Sequence, residues 1–493
     1  MNMNFNQLKS LGIVKCFGPQ IQTVTALMFH SKNVCKDSMF FCIRGENTDG
    51  NCYVEEAIES GANSVVSDKE EDLQKWSRKY PCCSFLLVKD VRKAMAYIAK
   101  HFNHRADETL KTIGVTGTNG KTTVSSYVRS LLNLLNMPTG LIGTTGIWTS
   151  KEKIAYRKST PTTPESIDLH QIFHMLEQHG DKAVSMEVSS IALDQMRVEG
   201  ILYDVAIHTN FSEEHLEYHK TIDHYKKCKL QLFKQTKCAV INLDDAGMGA
   251  DILQRFDGPF LTYSLREESE ADLKASEINV SDNGTTFYLN YLGECYPVYV
   301  PIFGNYNIAN ILSAAGAAVL LGYTMKQIIN VLPRLESPEG RFQVIEAPDA
   351  AKIILDYAHT PVAITRLVEE VKKIKYNRLI LMIAGIGIRD FNKMPKMAAA
   401  IDGQADEVVV TVDHPGYHDP QEIVNQVVKG FAEPNAPNIH TALTRKEGVL
   451  KALQLAGEGD LILLTSGCIN NAQIVKGKEI PHSDEEIIQA HYL

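Results

Sequence analysis

Apolar and polar positions alternate along this chain with rhythms that change twice. In the first stretch, an apolar run at 38–43, a turn rich in glycine and carboxylates at 44–50, a helical pattern around 53–61 and a second apolar run at 64–67 predict a small α/β unit. Next, the run led by Ile113 and Val115 breaks into a glycine turn, and the apolar spacing over 123–132 predicts a helix directly after it. Buried strands are predicted at 183–190 and 205–210, each followed by polar residues. A helix follows with His224, Tyr225, Lys226, Lys227 and Lys229 opposite Leu230 and Phe233, the lysines reading as a solvated face. Alternation over 270–300, with a turn at Asp282-Asn283-Gly284, predicts a meander, and a small-residue helix is predicted at 313–321. Beyond 336, four apolar runs at 352–355, 379–384, 407–412 and 461–465 each end in a polar loop.

These rhythms predict an α/β chain in three domains, at 1–105, 106–335 and 336–493. The length of 493 residues agrees, since one core stops growing well below it and roughly two to four domains are expected. A net charge of −9 gives no basic footprint, which argues against nucleic acid or an anionic membrane as main partner. Anionic substrates must then be met by local clusters. The 10 cysteines include no C-x-x-C pair and read as reduced thiols. The N-terminus lacks the apolar core of a signal peptide, and the apolar run 311–321 is too short to cross a bilayer. A soluble, cytoplasmic chain is expected.

Local chemistry concentrates in the middle stretch. Gly117-Thr118-Asn119-Gly120-Lys121-Thr122-Thr123 joins a strand to a helix, as a phosphate cradle does. Its glycines let backbone N–H groups face phosphates, Lys121 can neutralise phosphate oxygens and the Thr122 hydroxyl can reach Mg²⁺. ATP or a similar triphosphate is the predicted ligand, although the usual pattern has glycine where Val115 stands. The bend 160–165 carries Thr162 and Thr163 and either caps the next helix, through Thr163 or Glu165, or binds a sugar or phosphate. Glu187, inside a buried run, calls for a metal or a paired cation. Polar clusters at the ends of two strands beside a phosphate loop are placed to converge. Gly385-Ile386-Gly387 lacks the third glycine of a dinucleotide fingerprint, Asp390 standing in its place.

Taken together, Gly117 to Thr123, Thr162-Thr163-Pro164, Glu187-Val188-Ser189-Ser190, Asn210 to His219, Asn305 to Asn310 and Asp356-Tyr357-Ala358-His359 resemble the ATP-dependent Mur ligases, and among them the UDP-N-acetylmuramoyl-tripeptide synthetases. The resemblance implies a central P-loop ATPase domain, an N-terminal UDP-sugar-binding domain and a Rossmann-like C-terminal domain. It implies an ATP-dependent amide ligase working through an acyl phosphate, with Mg²⁺ and ATP, on UDP-N-acetylmuramoyl-L-alanyl-D-glutamate and a free amino acid in peptidoglycan precursor synthesis; a monomer is expected. By the same resemblance Lys121, Lys229 and His215 are catalytic, and Thr122, Glu187 and His215 hold the metal. Lys229 matches a carbamylated lysine, N6-carboxylysine. ATP contacts are Gly117 to Thr123 with Asn307, Arg341 and Asp356. Ser31, Thr162, Thr163, Ser189, Gln195 and Arg197 match the UDP-sugar peptide contacts.

Asp413, His414, Asp419 and Asn470 are the matching amino-acid contacts, and here the chain departs from the family. The diaminopimelate type carries arginine where this chain has Gly416, so lysine or another amino acid without a distal carboxylate is expected. Asn470 replaces the glutamate of a Lys-Gly-x-Glu segment, His30-Ser31-Lys32 replaces Asp-Ser-Arg, and Ile191 replaces a histidine. A paralogue in a specialised peptide pathway and a nucleotide-binding regulatory protein without ligase activity are the alternatives. Folylpolyglutamate synthase, a related fold, is disfavoured by Thr162, Ser189 and Arg197.

Overall fold

The computed structural model describes residues 2–4, 11–45, 48–156, 159–281, 283–347, 351–388, 390–467 and 472–492. The chain divides into two compact units, Met1–Thr262 with Gly316–Tyr323, and Tyr263–Ala315 with Thr324–Leu493. Among the described residues, no helix is long and apolar enough to cross a membrane.

The first unit contains two large sheets beside a two-stranded one, Asn2–Asn4 with Ile21–Thr23. One large sheet has the strand order Ile13–Phe17, Ser84–Val88, Ala62–Ser67, Ser38–Phe41 and Ala26–Met28, parallel apart from the first. Its helix Val91–Phe102 starts where the Asp90 carboxylate accepts from the Lys93 N–H at 3.0 Å, a bond that satisfies one orphan donor of the first turn. The second sheet has a parallel centre in the order Thr139–Gly143, Ala183–Glu187, Lys111–Thr116, Tyr203–His208 and Thr236–Asn242. Continuous apolar runs suit this arrangement, because both faces of a parallel sheet are covered. Register decides where the chemistry goes. Val115 lies opposite Glu187 on one side and Ile207 on the other, and Thr116 lies opposite His208. The carboxyl ends of the three central strands therefore finish level with one another.

In the second unit, Leu273–Ser281, Gly284–Tyr291 and Glu294–Val300 form the expected antiparallel meander, with Asp282 of its turn outside the described residues. The predicted small-residue helix is longer than its apolar run: it spans Asn305–Leu320, its residues from Gly316 on being counted with the first unit. A six-stranded sheet has the order Gln343–Glu346, Lys352–Leu355, Leu461–Leu464, Leu379–Ile386, Glu407–Asp413 and Ile439–Thr441. The four predicted strands are its centre. Successive residues serve opposite cores, which is why these runs lack a polar phase: Ile354, Leu381, Val410 and Leu463 pack with Ile364 and Ile423, whereas Ile353, Ile380, Val409 and Ile462 pack with Val449 and Leu453.

A buried ion pair anchors the end of the strand Leu461–Leu464. Arg445 is fully buried, donates from Nη2 to Asp484 Oδ2 at 2.6 Å and from Nη1 to the carbonyls of Thr465 and Ser466 at 3.2 and 3.0 Å. Burial pushes the Asp484 carboxyl up, but the Arg445 guanidinium and His482 outweigh it and hold the carboxyl well below the usual range. Its folded pKa being depressed, the pair stabilises the fold above the ordinary carboxylate pKa and loses that contribution as pH falls through it. Asp484→Asn leaves a buried guanidinium without its counter-charge, and urea denaturation should show about 3–5 kcal/mol of lost stability at neutral pH.

Candidate active site

Gly117 has a φ of +151°, and a Cβ there would overlap the Thr209 hydroxyl, so only glycine lets the loop pass this close to the neighbouring strand. The loop is held by Thr118 N–H donating to Asn210 O at 2.8 Å, Asn119 N–H donating to Asn210 Oδ1 at 2.9 Å and Thr209 Oγ1 donating to Asn119 O at 2.6 Å. Gly120, at φ +83°, is the N-cap of the helix Lys121–Leu134, and no side chain caps that terminus. Its first-turn N–H groups and the positive end of the helix dipole are suited to an anion.

Two lysines converge on this loop. Lys121 Nζ donates to the carbonyls of Gly117 and Thr118 at 2.9 and 2.8 Å, and Lys229 Nζ donates to the same Gly117 carbonyl at 2.6 Å. The solvated-face reading fails for Lys229, which is 1% exposed and sits 4.6 Å over the Tyr225 ring, while Lys226 pairs with Asp251 at 2.9 Å. Burial first, and the neighbouring charge of Lys121 second, lower the Lys229 pKa well below that of an ordinary lysine. Two ammonium groups sharing one carbonyl repel, and the buried one gives up its proton more readily.

Glu187 ends its strand 1% exposed. Its Oε2 accepts from the Thr122 hydroxyl at 2.9 Å and its Oε1 from the Thr144 N–H at 2.6 Å. These donors are neutral, and the hard oxygens of a buried carboxyl group beside a threonine hydroxyl are a donor set that fits Mg²⁺. His215 has a φ of +56°, a side chain 42% exposed and its Nδ1 3.3 Å from Glu217 Oε1. No hydrogen bond joins it to Thr122 or Glu187. Its ring instead lies 6.3 Å from that of Tyr225, whose hydroxyl meets Thr118 Oγ1 at 3.2 Å.

Five of the six residues matched to the UDP-sugar peptide, all but Ser31, form one network with Glu187 at its root. Thr163 Oγ1 donates to the Glu187 carbonyl at 2.9 Å, and the Ser189 N–H donates to Thr163 Oγ1 at 3.1 Å. Arg197 donates to the Thr163 carbonyl at 3.1 Å and to Gln195 Oε1 at 2.7 Å. Thr162 and Thr144 hydroxyls are 3.5 Å apart. The capping alternative for the bend is overturned: Glu165 occupies the N-cap position of the helix Ser166–Gln178 without a side-chain cap bond, because its carboxylate pairs with Arg197 at 3.1 Å and Arg92 at 3.3 Å. Ser189 does cap a helix, accepting from the Ala192 N–H at 3.2 Å. Ser31 is buried in the 3-10 turn Ser31–Asn33 and is not hydrogen-bonded to this network.

In the second unit, Asn307 is buried and donates to the Phe303 carbonyl at 2.8 Å. Asp356 accepts from the Phe342 and Ala358 N–H groups, both at 2.8 Å; burial raises its pKa and the charge of Arg341 opposes that. Asp413 accepts from Gln473 Nε2 at 2.8 Å, and His414 Nδ1 accepts from the Ile474 N–H at 3.0 Å, so both hold the hairpin Ala472–Val475 and Lys478–Pro481. The Asp419 carboxylate caps the helix Pro420–Val428 through the Gln421 N–H at 2.9 Å. Asn470 lies outside the described residues.

The sequence matches three Mur ligase domains: "Mur ligase family, catalytic domain" over 23–103, "Mur ligase middle domain" over 115–318 and "Mur ligase, glutamate ligase domain" over 340–468. It is 35% identical over 465 residues, 94% of this chain and 93% of the relative, to UDP-N-acetylmuramoyl-L-alanyl-D-glutamate–2,6-diaminopimelate ligase 1 of Clostridium acetobutylicum. The chain belongs to the Mur ligase family. A solved structure of a UDP-N-acetylmuramoyl-L-alanyl-D-glutamate–2,6-diaminopimelate ligase superposes with a TM-score of 0.71 at 28% identity, covering 99% of this chain and 98% of that one. The fold is also that of the MurF ligase of Thermotoga maritima in complex with ADP, at TM-score 0.62 and 16% identity over 90% of this chain and 94% of that one.

The α/β, three-domain Mur ligase architecture expected from the motifs is thus the one this chain has. Within this Mur ligase, Tyr225 is a residue the pattern did not single out. It is buried, hydrogen-bonds the phosphate loop, lies under the Lys229 ammonium, and packs tilted against Phe211 and edge-on to His215. Its spacing of four from Lys229, one helical turn, was the available signal.

Proposed function

We propose that this Mur ligase joins an amino acid to UDP-N-acetylmuramoyl-L-alanyl-D-glutamate in an ATP-dependent reaction. The observation that carries the reading is the meeting at Glu187: its side chain bonds Thr122 of the phosphate loop, and its backbone carbonyl bonds Thr163 of the UDP-sugar network. A nucleotide phosphate and the substrate's carboxylate would thereby be brought to one point. The carboxylate oxygen attacks the γ-phosphorus, ADP leaves and an acyl phosphate forms; the amino group of the incoming amino acid then attacks the acyl carbon, inorganic phosphate leaves and the amine gives up a proton.

Lys121 and the N–H groups of the helix Lys121–Leu134 offset charge on the transferring phosphoryl group, so positioning and electrostatics supply most of the catalysis. Thr122 and Glu187 would hold Mg²⁺, with His215 the third expected ligand, and the ion when bound polarises phosphate oxygens. Lys229 is suited to carbamylation, since a neutral amine adds CO₂ to give an N-carboxylate and a proton. The carbamate would place an anion beside Gly117, able to support a cation.

Arg197 is the network's cation for the anionic sugar substrate. Arg197→Ala removes a charge-assisted contact of about 1.5–3 kcal/mol, so KM for the UDP-dipeptide should rise about 10–100-fold with kcat changed far less. The test of the reading is phosphate release from ATP and Mg²⁺. Release that requires both the UDP-dipeptide and an amino acid supports it, and release indifferent to the UDP-dipeptide contradicts it. For the amino acid, Gly416 is the guide. At φ +62°, with Ile388 Cγ2 only 2.9 Å from where a Cβ would stand, it supplies no guanidinium for a second carboxylate, in support of an amino acid without one.

A further inference from the structure

The helix Ile222–Leu230 carries, besides Lys229, two metal-binding side chains one turn apart, His224 and Cys228. They meet Asp194, the last residue of the helix Ser190–Asp194. His224 Nε2 is 3.7 Å from Cys228 Sγ and 3.4 Å from Asp194 Oδ1, and Cys228 Sγ is 3.5 Å from Asp194 Oδ1. A zinc ion with Zn–N near 2.0 Å and Zn–S near 2.3 Å in tetrahedral geometry separates its ligand atoms by about 3.3–3.6 Å. The triangle thus has the dimensions of one face of such a tetrahedron. His219 is beside it, its Nδ1 3.2 Å from His224 Nδ1, and ligand atoms of His219, His224 and Cys228 all lie within 4.8 Å of one another.

We propose that Asp194, His224 and Cys228 form three corners of a Zn²⁺ site that shares no residue with the Thr122–Glu187 pair, with His219, whose contact here is with the other nitrogen of the His224 ring, the nearest side chain for the fourth corner. Thiolate and imidazole select zinc over magnesium, which takes oxygen donors. The half-exposed His224 side chain, at 45%, gives the ion its way in, and Cys228 and His219 are buried against the other side. The site also has an outer shell. Asp194 Oδ2 accepts from the Tyr218 hydroxyl at 2.8 Å, and Gln195 Nε2 donates to that hydroxyl at 3.2 Å. His219 Nε2 lies 2.9 Å from Ser190 Oγ, which fixes the ring with Nδ1 toward the cluster. Zinc bound here would therefore hold Gln195 and its partner Arg197 through Asp194 and Tyr218, whether or not the chain's ligase activity is as proposed above.

The experiment uses the full chain, stripped of metal with a chelator and titrated with Co²⁺ in excess Mg²⁺. The expected result is one Co²⁺ per chain with the intense visible bands of tetrahedral cobalt and a thiolate charge-transfer band, displaced by Zn²⁺. Cys228→Ser should abolish the charge-transfer band, and His224→Asn should weaken Zn²⁺ binding at least tenfold. Zn²⁺ should raise the melting temperature of the wild type and of neither variant. Should Cys228→Ser fail to fold, the exposed His224 keeps the test open. Absence of tetrahedral bands in the wild type, or wild-type affinity in His224→Asn, would overturn the site, as would an unchanged charge-transfer band in folded Cys228→Ser.

Discussion

Lys121→Ala should lower kcat by about 10²–10³, the loss typical of removing one preorganised donor to a developing charge. Its ammonium is already held over the phosphate loop by the Gly117 and Thr118 carbonyls, so little reorganisation separates the free chain from one with nucleotide bound. In the alanine variant the buried Gly117 carbonyl keeps its bond from Lys229, so the melting temperature should change far less than kcat. Steady-state phosphate release with the UDP-dipeptide and amino acid saturating reads the effect directly. A variant within threefold of wild type would remove Lys121 from the chemistry.

The second large effect is at Lys229. Lys229→Ala should cost about 10² or more in kcat, because it removes the group expected to carry a carbamate beside the phosphate loop. Short carboxylates such as formate or acetate should restore part of the lost activity by filling the space with an anion. The pH dependence has a defined sign. Carbamate formation consumes a neutral amine and releases a proton, and burial together with Lys121 keeps the Lys229 amine neutral further down the pH scale than an ordinary lysine. Falling pH protonates the carbamate and CO₂ is lost, so activity should fall on the acid side and recover when bicarbonate is added at constant pH. Loss of activity in Lys229→Ala that no carboxylate recovers, joined to wild-type activity indifferent to bicarbonate, would contradict the carbamate.

Lys229 also shows where sequence stops being legible. Around it, Lys226 and Lys227 read as a charged outer face, and nothing in the local pattern separates the lysine that turns inward. Its burial comes from a tertiary contact with Gly117, 112 positions away. The phosphate loop was legible because its chemistry is contiguous: strand, glycine turn and helix follow one another in a single stretch. The central strands were legible as continuous apolar runs, whereas the edge strands Gln343–Glu346 and Ile439–Thr441 are interrupted by polar residues and carry no such run. Glu187 was readable as a buried carboxylate calling for a metal or a paired cation; the bonds it makes to Thr122 and Thr144 come from neutral donors and leave that expectation open. Asp419 shows the limit of matching residues by motif, since its carboxylate is occupied as a helix cap. Glu165 errs in the opposite sense: its position suits a cap, and the two arginines that claim it instead come from 73 and 32 residues away.

The most direct test of the account is a product assay with ATP, Mg²⁺ and UDP-N-acetylmuramoyl-L-alanyl-D-glutamate across lysine, ornithine, diaminopimelate and neutral amino acids, read by mass. The account predicts a UDP-sugar tripeptide from an amino acid lacking a distal carboxylate, with diaminopimelate a poor substrate. Diaminopimelate as the preferred amino acid would contradict the reading of Gly416, and no tripeptide with any of them, from a chain that still binds ATP, would contradict the proposed ligase activity itself.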